Sequence, residues 1–444
     1  MSESPLVVSR AEPRFERALI HDVACFSPER LRARAEKIAF TQATGVETFA
    51  WVLEIYGQLQ AVAEEDFLLK GGTAAQMYVP LERQRASVDI DLLAHIEPER
   101  MRDVLDEVSR RLASDLPYFV FEEYTPAQPD VALPLQTFLV MVPSSLGQTM
   151  PLALSLVEGE AEGTEAGQIA GRSIKVDVFY LQEPLKHTRL EGVQTFALDL
   201  AFSPRCLAIG PLIGDKLLTL ATKSIGIPRS RADDLPKQVY DLDNLTHQHL
   251  SEADTEELIA TVRTLVDVES SFRGIQVTVF QVLDHIQETL KTFSTLDLRE
   301  GDPVLRRYVL NLQSQYLREP MRSPFYGWAA KALRLSFFLQ CLRQKMAGSV
   351  LDVHETIRRA DELEERMRFE GLEGEDRRRE RREVQETLLT ALRDAGKGGW
   401  KQLKPRPPER VYWELIDLDN LESLDTMIVA RSQGSRVARE KLWG

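Results

Sequence analysis

The chain has 444 residues, of which 43% are hydrophobic and 28% charged, an ordinary composition for a globular protein. Its formal net charge of −14 argues against a protein that coats nucleic acid with its whole surface, although a local basic groove remains compatible with that charge. The three cysteines, Cys25, Cys206 and Cys341, are odd in number and far apart, which argues against a disulfide framework or a thiolate metal site.

The chain is long enough for two or three domains, each with its own core. Its first residues carry early acids and no long apolar stretch, which is unlike a secretory signal peptide. The most apolar segments, residues 133–142 and 333–342, are far shorter than a membrane span. We therefore expect a cytoplasmic protein that does not insert into a membrane.

Local patterns over the first 180 residues alternate between helix and strand. The spacing of apolar residues predicts helices over residues 29–40, 46–63 and 98–114. Runs of β-forming residues predict strands over residues 67–69, 87–94, 118–124, 137–142, 152–157 and 174–180, with a hairpin tip over residues 158–167. Thr73 is predicted to cap a helix over residues 74–79 that Pro80 ends. This order predicts an α/β or α+β sheet, and we assign the α+β class, with a mixed β-sheet flanked by helices.

The character of the sequence changes near Leu198. From there to about residue 392 nearly every segment has helical spacing, which predicts an all-helical C-terminal region. Residues 396–410 are rich in Gly, Lys and Pro and are predicted to form a loop or linker. We expect an α+β domain with a helical lead-in over residues 1–197, a helical domain over 198–395, and a linker and tail over 396–444 packed on the helical domain.

A glycine turn and a pair of aspartates are the most informative features. The Lys-Gly-Gly-Thr sequence at residues 70–73 follows an apolar run; glycines let a backbone approach a bulky anion, and threonine adds a hydroxyl donor. Asp89 and Asp91 are two apart in a predicted strand, so both carboxylates point to one face. Each feature alone also fits an ordinary turn or a strand end with two solvated acids. Together they favour a site for a divalent metal ion and a triphosphate.

Asp177, in the strand predicted over residues 174–180, offers a third carboxylate. Its apolar neighbours predict burial, where an ionised carboxylate is costly unless it is paired or bound to metal. With Asp89 and Asp91 it would complete a site for two metal ions that hold an in-line attack at phosphorus, and it could help to deprotonate the attacking hydroxyl. The alternative is a structural pair of Asp177 with Lys175 or with another segment of the chain.

These motifs together resemble the AbiEii family, a branch of the DNA polymerase β-type nucleotidyltransferases that comprises the toxins of AbiE-type toxin–antitoxin and phage-defence systems. The resemblance covers roughly residues 46–245, and its first two motifs are Lys70-Gly71-Gly72-Thr73-Ala74 and Arg85-x-Ser87-x-Asp89-Ile90-Asp91-Leu92. It implies that Asp89, Asp91 and Asp177 hold the metal. It also implies that the nucleotide is contacted by Lys70, Gly71, Gly72, Thr73, Arg85 and Ser87.

The family also has a lysine on a helix after the sheet, and a basic residue that leads into a Tyr-Asp-Leu run. The corresponding segments here are Gly214-Asp215-Lys216-Leu217-Leu218 and Lys237-Gln238-Val239-Tyr240-Asp241-Leu242. The resemblance implies a phosphate-contacting catalytic role for Lys216, an acid or positioning role for Asp241, and nucleotide binding by Lys237. The family often has Arg-Asp where this chain has Lys237-Gln238, so the basic role falls to Lys237 or to Arg229 or Arg231 nearby. Lys237 and Asp241, four apart, also fit an intrahelical ion pair.

The family resemblance implies transfer of a nucleoside monophosphate from NTP to an acceptor, with Mg²⁺ or Mn²⁺ as cofactor and pyrophosphate as leaving group. The first acceptor to consider is the tRNA 3′ end, which would require a local basic strip such as residues 377–382 or 397–410. The alternatives are NMP-ylation of a protein or small-molecule hydroxyl, and a nucleotide-binding regulator without turnover. A cognate antitoxin encoded next to the chain is the expected protein partner.

Overall fold

A computed structural model of the protein describes residues 14–114, 116–124, 134–147, 149–151, 168–396 and 400–434. The chain divides into two compact units. The first unit ends at Ala208 and also takes in Gln313–Met321, whereas the second consists of Ile209–Leu312 and the chain from Arg322 onward. For comparison, the domain boundaries predicted from the sequence follow residues 197 and 395.

In the part of the chain that the structure describes, the first unit contains all of the strands and four α-helices. The helices are α1 (Pro28–Lys37), α2 (Ala43–Ala63), α3 (Gly71–Tyr78) and α4 (Pro98–Arg111). The strands are β1 (Phe67–Lys70), β2 (Asp89–Ala94), β3 (Phe121–Glu123), β4 (Leu135–Pro143), β5 (Thr149–Pro151), β6 (Gln168–Tyr180), β7 (His187–Arg189) and β8 (Arg205–Leu207).

These strands form one mixed sheet in the order β3-β4-β6-β2-β1-β8-β7, with β5 paired to β6. Strand β2 runs parallel to β6 and β1 parallel to β8, while β1 and β2 are antiparallel to each other. The predicted α+β class, with a mixed sheet flanked by helices, is confirmed. The three strands β1, β2 and β6 are adjacent, so the residues predicted to act on a nucleotide lie on neighbouring strands.

Helix α2 anchors the strand that carries Asp177. Its apolar residues lie on nearly all sides, and 15 of its residues are buried, as expected for a helix enclosed by other elements. Glu47 of α2 is fully buried and pairs with Arg172 of β6 at 2.7 Å. The same carboxylate accepts hydrogen bonds from Ser144 and Ser145, so the buried charge of Glu47 is partnered on both oxygens.

A distant segment of the chain completes the first unit. Gln313–Met321 belongs to it although most of the surrounding sequence belongs to the second unit. The Ala86 amide donates to the Tyr316 carbonyl at 3.0 Å, and the Arg318 guanidinium donates to the Leu81 carbonyl at 3.3 Å. This segment therefore holds the connection between α3 and β2, which carries two predicted nucleotide-binding residues.

The second unit is built of helices. They are α5 (Ile209–Leu218), α6 (Leu235–His249), α7 (Thr255–Phe272), α8 (Val279–Ser294), α9 (Pro303–Gln315, whose last residues belong to the first unit), α10 (Phe325–Met346), α11 (Val353–Arg366), α12 (Gly374–Asp394), α13 (Trp400–Leu403), α14 (Pro408–Leu415) and α15 (Leu421–Gly434). The predicted all-helical C-terminal region is confirmed for the residues that the structure describes. Within those same residues, no helix has the length and apolar character needed to cross a membrane.

Two local predictions are wrong. Thr73 does not cap a helix from outside, because α3 already begins at Gly71 and Thr73 lies inside it. Residues 396–410 are not a loop throughout: α13 buries Leu403, and α14 begins at Pro408, a position in the first turn where proline is favoured. The strand and hairpin tip predicted over residues 152–157 and 158–167 lie outside the described residues.

Candidate active site

Strand β2 presents two aspartates on one face of the sheet. Its residues alternate, so that Ile90 and Leu92 are fully buried while Asp89 and Asp91 are partly exposed on the opposite side. The predicted strand and the predicted common face of the two carboxylates are both confirmed. A strand whose core face is apolar can carry two charges on its other face, where water screens part of their repulsion.

Neighbouring strands bring further charges to the same face. Asp91 is the register partner of Asp177 on β6 and of Lys70 on β1, and Asp89 is the register partner of Lys175 on β6. Because directly opposed residues of adjacent strands share a face, three carboxylates and two ammonium groups lie together on this side of the sheet. We call this set, Lys70, Asp89, Asp91, Lys175 and Asp177, the carboxylate face.

The turn between β1 and α3 is shaped around the Asp91 carboxylate. Gly71 takes φ +67°, and a Cβ atom at this position would lie 1.9 Å from Asp91 Oδ2. The Gly72 amide donates to the same Oδ2 atom at 3.3 Å. Glycine is therefore required at residue 71 for two reasons, its left-handed backbone and the carboxylate packed against its Cα.

The predicted nucleotide-binding residues beside this turn are buried. A Cβ atom on Gly72 would lie 2.8 Å from Arg85 Nη2 and 3.2 Å from Ser87 Oγ, so both side chains cover that glycine. The Thr73 hydroxyl donates to the Asp89 carbonyl at 2.7 Å and lies 2.9 Å from Ser87 Oγ. Thr73 therefore joins α3 to β2 and fixes the backbone from which the Asp89 side chain projects.

Asp177 is held by two side chains. Lys175 Nζ lies 2.5 Å from its Oδ2, and the Thr137 hydroxyl on β4 donates to its Oδ1 at 2.6 Å. The alternative raised from the sequence, a pair of Asp177 with Lys175, is thus confirmed as a contact. Thr137 has no motif in the sequence that marks it, because its role depends on the register between β4 and β6.

The later motifs come together in the second unit. Lys216 on α5 and Asp241 on α6 are both buried, and Lys216 Nζ lies 3.0 Å from Asp241 Oδ2 and 2.9 Å from Gln238 Oε1. Lys237, considered from the sequence as a partner of Asp241, contacts Asp234 at 2.9 Å. Sequence reasoning paired neither Lys216 with Asp241 nor Lys237 with Asp234.

Burial alone would raise the pKa of Asp234, but the ammonium of Lys237 and the guanidinium of Arg231 outweigh it and hold that pKa below its ordinary value. This carboxylate therefore stays ionised and fixes Lys237 at the start of α6. If Lys237 binds the nucleotide as predicted, it does so while its ammonium also contacts Asp234.

The carboxylate face has the donor chemistry that a divalent cation requires. Carboxylate oxygens are the ligands that Mg²⁺ and Mn²⁺ take, and Mg²⁺ is usually held by one or two of them together with substrate phosphates. Among the residues that the structure describes, no three His, Cys, Asp or Glu side chains form a group that could hold a metal ion by themselves. Asp89 and Asp91 therefore fit a cation whose coordination the phosphates of a nucleotide would complete.

Comparison with known proteins identifies the family to which this chain is similar. Residues 57–330 match the family described as the AbiEii nucleotidyl transferase toxin of type IV toxin–antitoxin systems. A candidate nucleotidyltransferase from H. pylori is 13% identical with a TM-score of 0.36, covering 66% of this chain and 93% of its own. MenT4, a nucleotidyltransferase toxin from Mycobacterium tuberculosis H37Rv, is 15% identical with a TM-score of 0.33, covering 74% of this chain and 92% of its own. No curated protein matches the chain.

Proposed function

As the chain belongs to the AbiEii family of nucleotidyl transferase toxins of type IV toxin–antitoxin systems, we propose that it transfers a nucleoside monophosphate from an NTP to an acceptor hydroxyl. The observation that carries the proposal is the Asp91 carboxylate, seated against Gly71 and beside Asp177 on the next strand. A backbone turn able to approach phosphate and a face of carboxylates able to hold a cation are then adjacent.

We assign the reaction to the carboxylate face. The acceptor oxygen forms a bond to the α-phosphorus, the bond from that phosphorus to the bridging oxygen breaks, and pyrophosphate leaves with the electron pair. Asp89, Asp91 and Asp177 are the proposed ligands of Mg²⁺ or Mn²⁺, in a one-ion or a two-ion site. Asp177 is also the proposed acceptor of the hydroxyl proton. A bound divalent cation would neutralise charge on the phosphates.

The remaining first-unit residues have supporting roles in this proposal. Gly71 and Gly72 form the turn that is proposed to approach the phosphates, and Lys70 and Arg85 are the proposed cations for the phosphate charge. Lys70 is partly exposed and lies 5.7 Å from the centre of the Phe179 ring, whereas Arg85 is buried over Gly72. Thr73 and Ser87 hold α3 against β2 and so support the turn.

Three residues of the second unit keep their roles as proposals from the family resemblance. Lys216 is the proposed phosphate-contacting residue, Asp241 its positioning acid, and Lys237 a nucleotide-binding cation. The buried contact between Lys216 and Asp241 supports the first two roles, because the carboxylate holds the lysine ammonium in one position.

We further propose the tRNA 3′ end as acceptor and an antitoxin encoded beside this chain as its antagonist. One of the two stretches considered from the sequence as basic strips lies on a single long helix. Residues 377–382 lie on α12, where Arg381 pairs with Glu409 and Arg379 with Asp376. All arginines of this stretch except Arg381 are exposed. The exposed arginines of α12 therefore support an electrostatic contact with phosphates better than Arg381 does.

The test is nucleotide transfer by the purified full chain. Each of the four α-³²P-labelled NTPs is incubated with Mg²⁺ or Mn²⁺ and, separately, with total tRNA, with cell protein, or with no added acceptor. We expect label in the tRNA fraction and release of pyrophosphate. We expect Asp89→Asn to abolish the signal, because the amide is a weaker cation ligand than the carboxylate.

The matched control is Asp103→Asn, an exposed aspartate on α4, which should transfer at the wild-type rate. Label in the protein fraction would replace tRNA by a protein hydroxyl as acceptor. Tight NTP binding without pyrophosphate release in any fraction would identify a regulator without turnover. Full transfer by Asp89→Asn would contradict the assigned site.

A further inference from the structure

Lys175 is the one residue of the carboxylate face whose role the family resemblance does not supply. It sits two residues before Asp177 on β6 and is the register partner of Asp89 on β2. Its strand neighbours Ile174 and Val176 are fully buried on the other side of the sheet, so Lys175 and Asp177 project together on the carboxylate face. The ammonium therefore stands among the groups proposed to hold a cation.

The contacts of Asp177 show which of its oxygens this ammonium engages. Lys175 Nζ lies 2.5 Å from Oδ2 of Asp177, and the Thr137 hydroxyl occupies Oδ1 at 2.6 Å. The Lys175 side chain is 29% exposed and that of Asp177 only 17%, so solvent screens the pair incompletely. Both oxygens of the carboxylate are thus committed to protein donors.

The charges of the face explain why a lysine is placed there. Without Lys175, the aspartates at residues 89, 91 and 177 would repel one another across two adjacent strands. A lysine neutralises part of this charge, and its four-carbon stem lets the ammonium move while the backbone stays in place. The ammonium of Lys175 can in this way occupy the carboxylate face before a divalent cation from solution binds there.

We propose that Lys175 is an internal counter-ion of the carboxylate face. Its ammonium occupies Asp177 until a divalent cation and a nucleotide bind, and it then leaves Asp177 and pairs with a phosphate oxygen. This inference rests on the proposed function for the identity of the nucleotide. The competition between Lys175 and a divalent cation for Asp177 can be measured without any transfer reaction.

The first experiment measures Mn²⁺ binding to the full chain by isothermal titration calorimetry without nucleotide. Lys175→Met removes the competing ammonium, so we expect Mn²⁺ to bind at least about fivefold more tightly than to wild type, the lower end of typical coupling between two ligands. Lys175→Arg keeps the charge and should bind Mn²⁺ like wild type. Lys37→Met, at an exposed position on α1, controls for loss of a surface charge and should also match wild type.

The second experiment measures binding of a non-hydrolysable NTP analogue in the presence of Mn²⁺. Lys175→Met should bind the analogue more weakly than wild type, and Lys175→Arg should retain most of the affinity. The variant thus gains affinity for the metal ion and loses affinity for the nucleotide. A lysine that served only as a static ion pair would lower stability without producing these opposite changes.

The proposal is overturned if Lys175→Met binds Mn²⁺ no more tightly than wild type, including the case in which neither binds it. If Lys175→Met does not fold, the same measurement is made on Lys175→Gln. Glutamine removes the positive charge but can still donate a hydrogen bond to Asp177, which supports the fold. Failure of wild type to transfer nucleotide to any acceptor would count against the proposed function alone. An unchanged Mn²⁺ affinity in a wild type that does transfer would count against Lys175 alone.

Discussion

Replacing Gly71 by alanine tests whether the turn is built around Asp91. The new Cβ atom would stand 1.9 Å from Asp91 Oδ2 and 2.5 Å from its Cγ, so the carboxylate must retreat by at least about 1 Å. Alanine at φ +67° costs about 1–2 kcal/mol in backbone strain. Moving Asp91 off its rotamer adds about 0.5–1.5 kcal/mol. We expect Gly71→Ala to lower the free energy of unfolding by roughly 2–3 kcal/mol.

Gly192 supplies a matched control in the same unit. It takes φ +66°, but nothing lies within 4 Å of the position that its Cβ would occupy. Gly192→Ala therefore carries only the backbone strain of about 1–2 kcal/mol, without any contact near the carboxylate face. The difference between the two alanine variants isolates the cost of displacing Asp91.

The assay combines urea unfolding, Mn²⁺ binding with a nucleotide analogue, and nucleotide transfer. Gly71→Ala should lose Mn²⁺ binding and transfer, whereas Gly192→Ala should keep both. The Cβ atom of Asp91 would also lie 2.7 Å from the new Cβ, so the background that removes the clash is Asp91→Gly. In that background the added cost of Gly71→Ala should fall to that of Gly192→Ala. Equal costs for the two glycines in the wild-type background, with transfer retained by Gly71→Ala, would refute the reasoning.

Two further predictions concern the second unit. Lys216→Met or Asp241→Leu alone should destabilise the fold by about 3–5 kcal/mol, because each leaves a buried charge without its partner, and the double variant should recover most of that loss. If Lys216 contacts phosphate, the double variant will be stable but inactive in transfer. A double variant that regains both stability and transfer activity would show that the pair is purely structural. The lowered pKa of Asp234 stabilises the fold above the ordinary value of 3.8, and this contribution is lost as pH falls through the lower folded value. The difference in urea stability between wild type and Asp234→Asn should therefore be full at pH 6 and shrink below about pH 4, and a difference independent of pH would contradict the pairing with Lys237 and Arg231.

Part of the first unit follows from local sequence because β2 alternates over residues 89–92 between partly exposed and buried residues. The pattern of Asp89-Ile90-Asp91-Leu92 predicts a strand and assigns its two faces, since side chains on a strand alternate. The predicted start of α3, residue 74, is three residues later than the observed start at Gly71, for a physical reason. Glycine is a poor helix former, so a helix that begins at Gly71 is recognised only once its packing against Asp91 is known.

Sequence motifs predict which residues belong to the site, whereas the contacts between these residues depend on how the strands pair in the sheet. The sequence places Asp89, Asp91 and Asp177 in strands, but only the pairing of β2 with β6 brings Asp177 beside Asp91. A shift of one residue would turn Asp177 to the opposite face. Thr137 and the segment around Tyr316 lie far along the chain from the residues that they hold, and local patterns carry no information about such partners.

The origin of Gln313–Met321 in the second half of the chain has a consequence during translation. About 110 residues separate Ala208 from the end of this segment, which a ribosome takes roughly 5–20 s to add. During that interval the loop bearing Arg85 lacks its hydrogen bonds to Tyr316 and Arg318. A nascent or truncated chain that stops before residue 313 thus carries the three aspartates without these hydrogen bonds beside them. An enzyme that harms the cell would therefore be complete only after most of the chain has been synthesised.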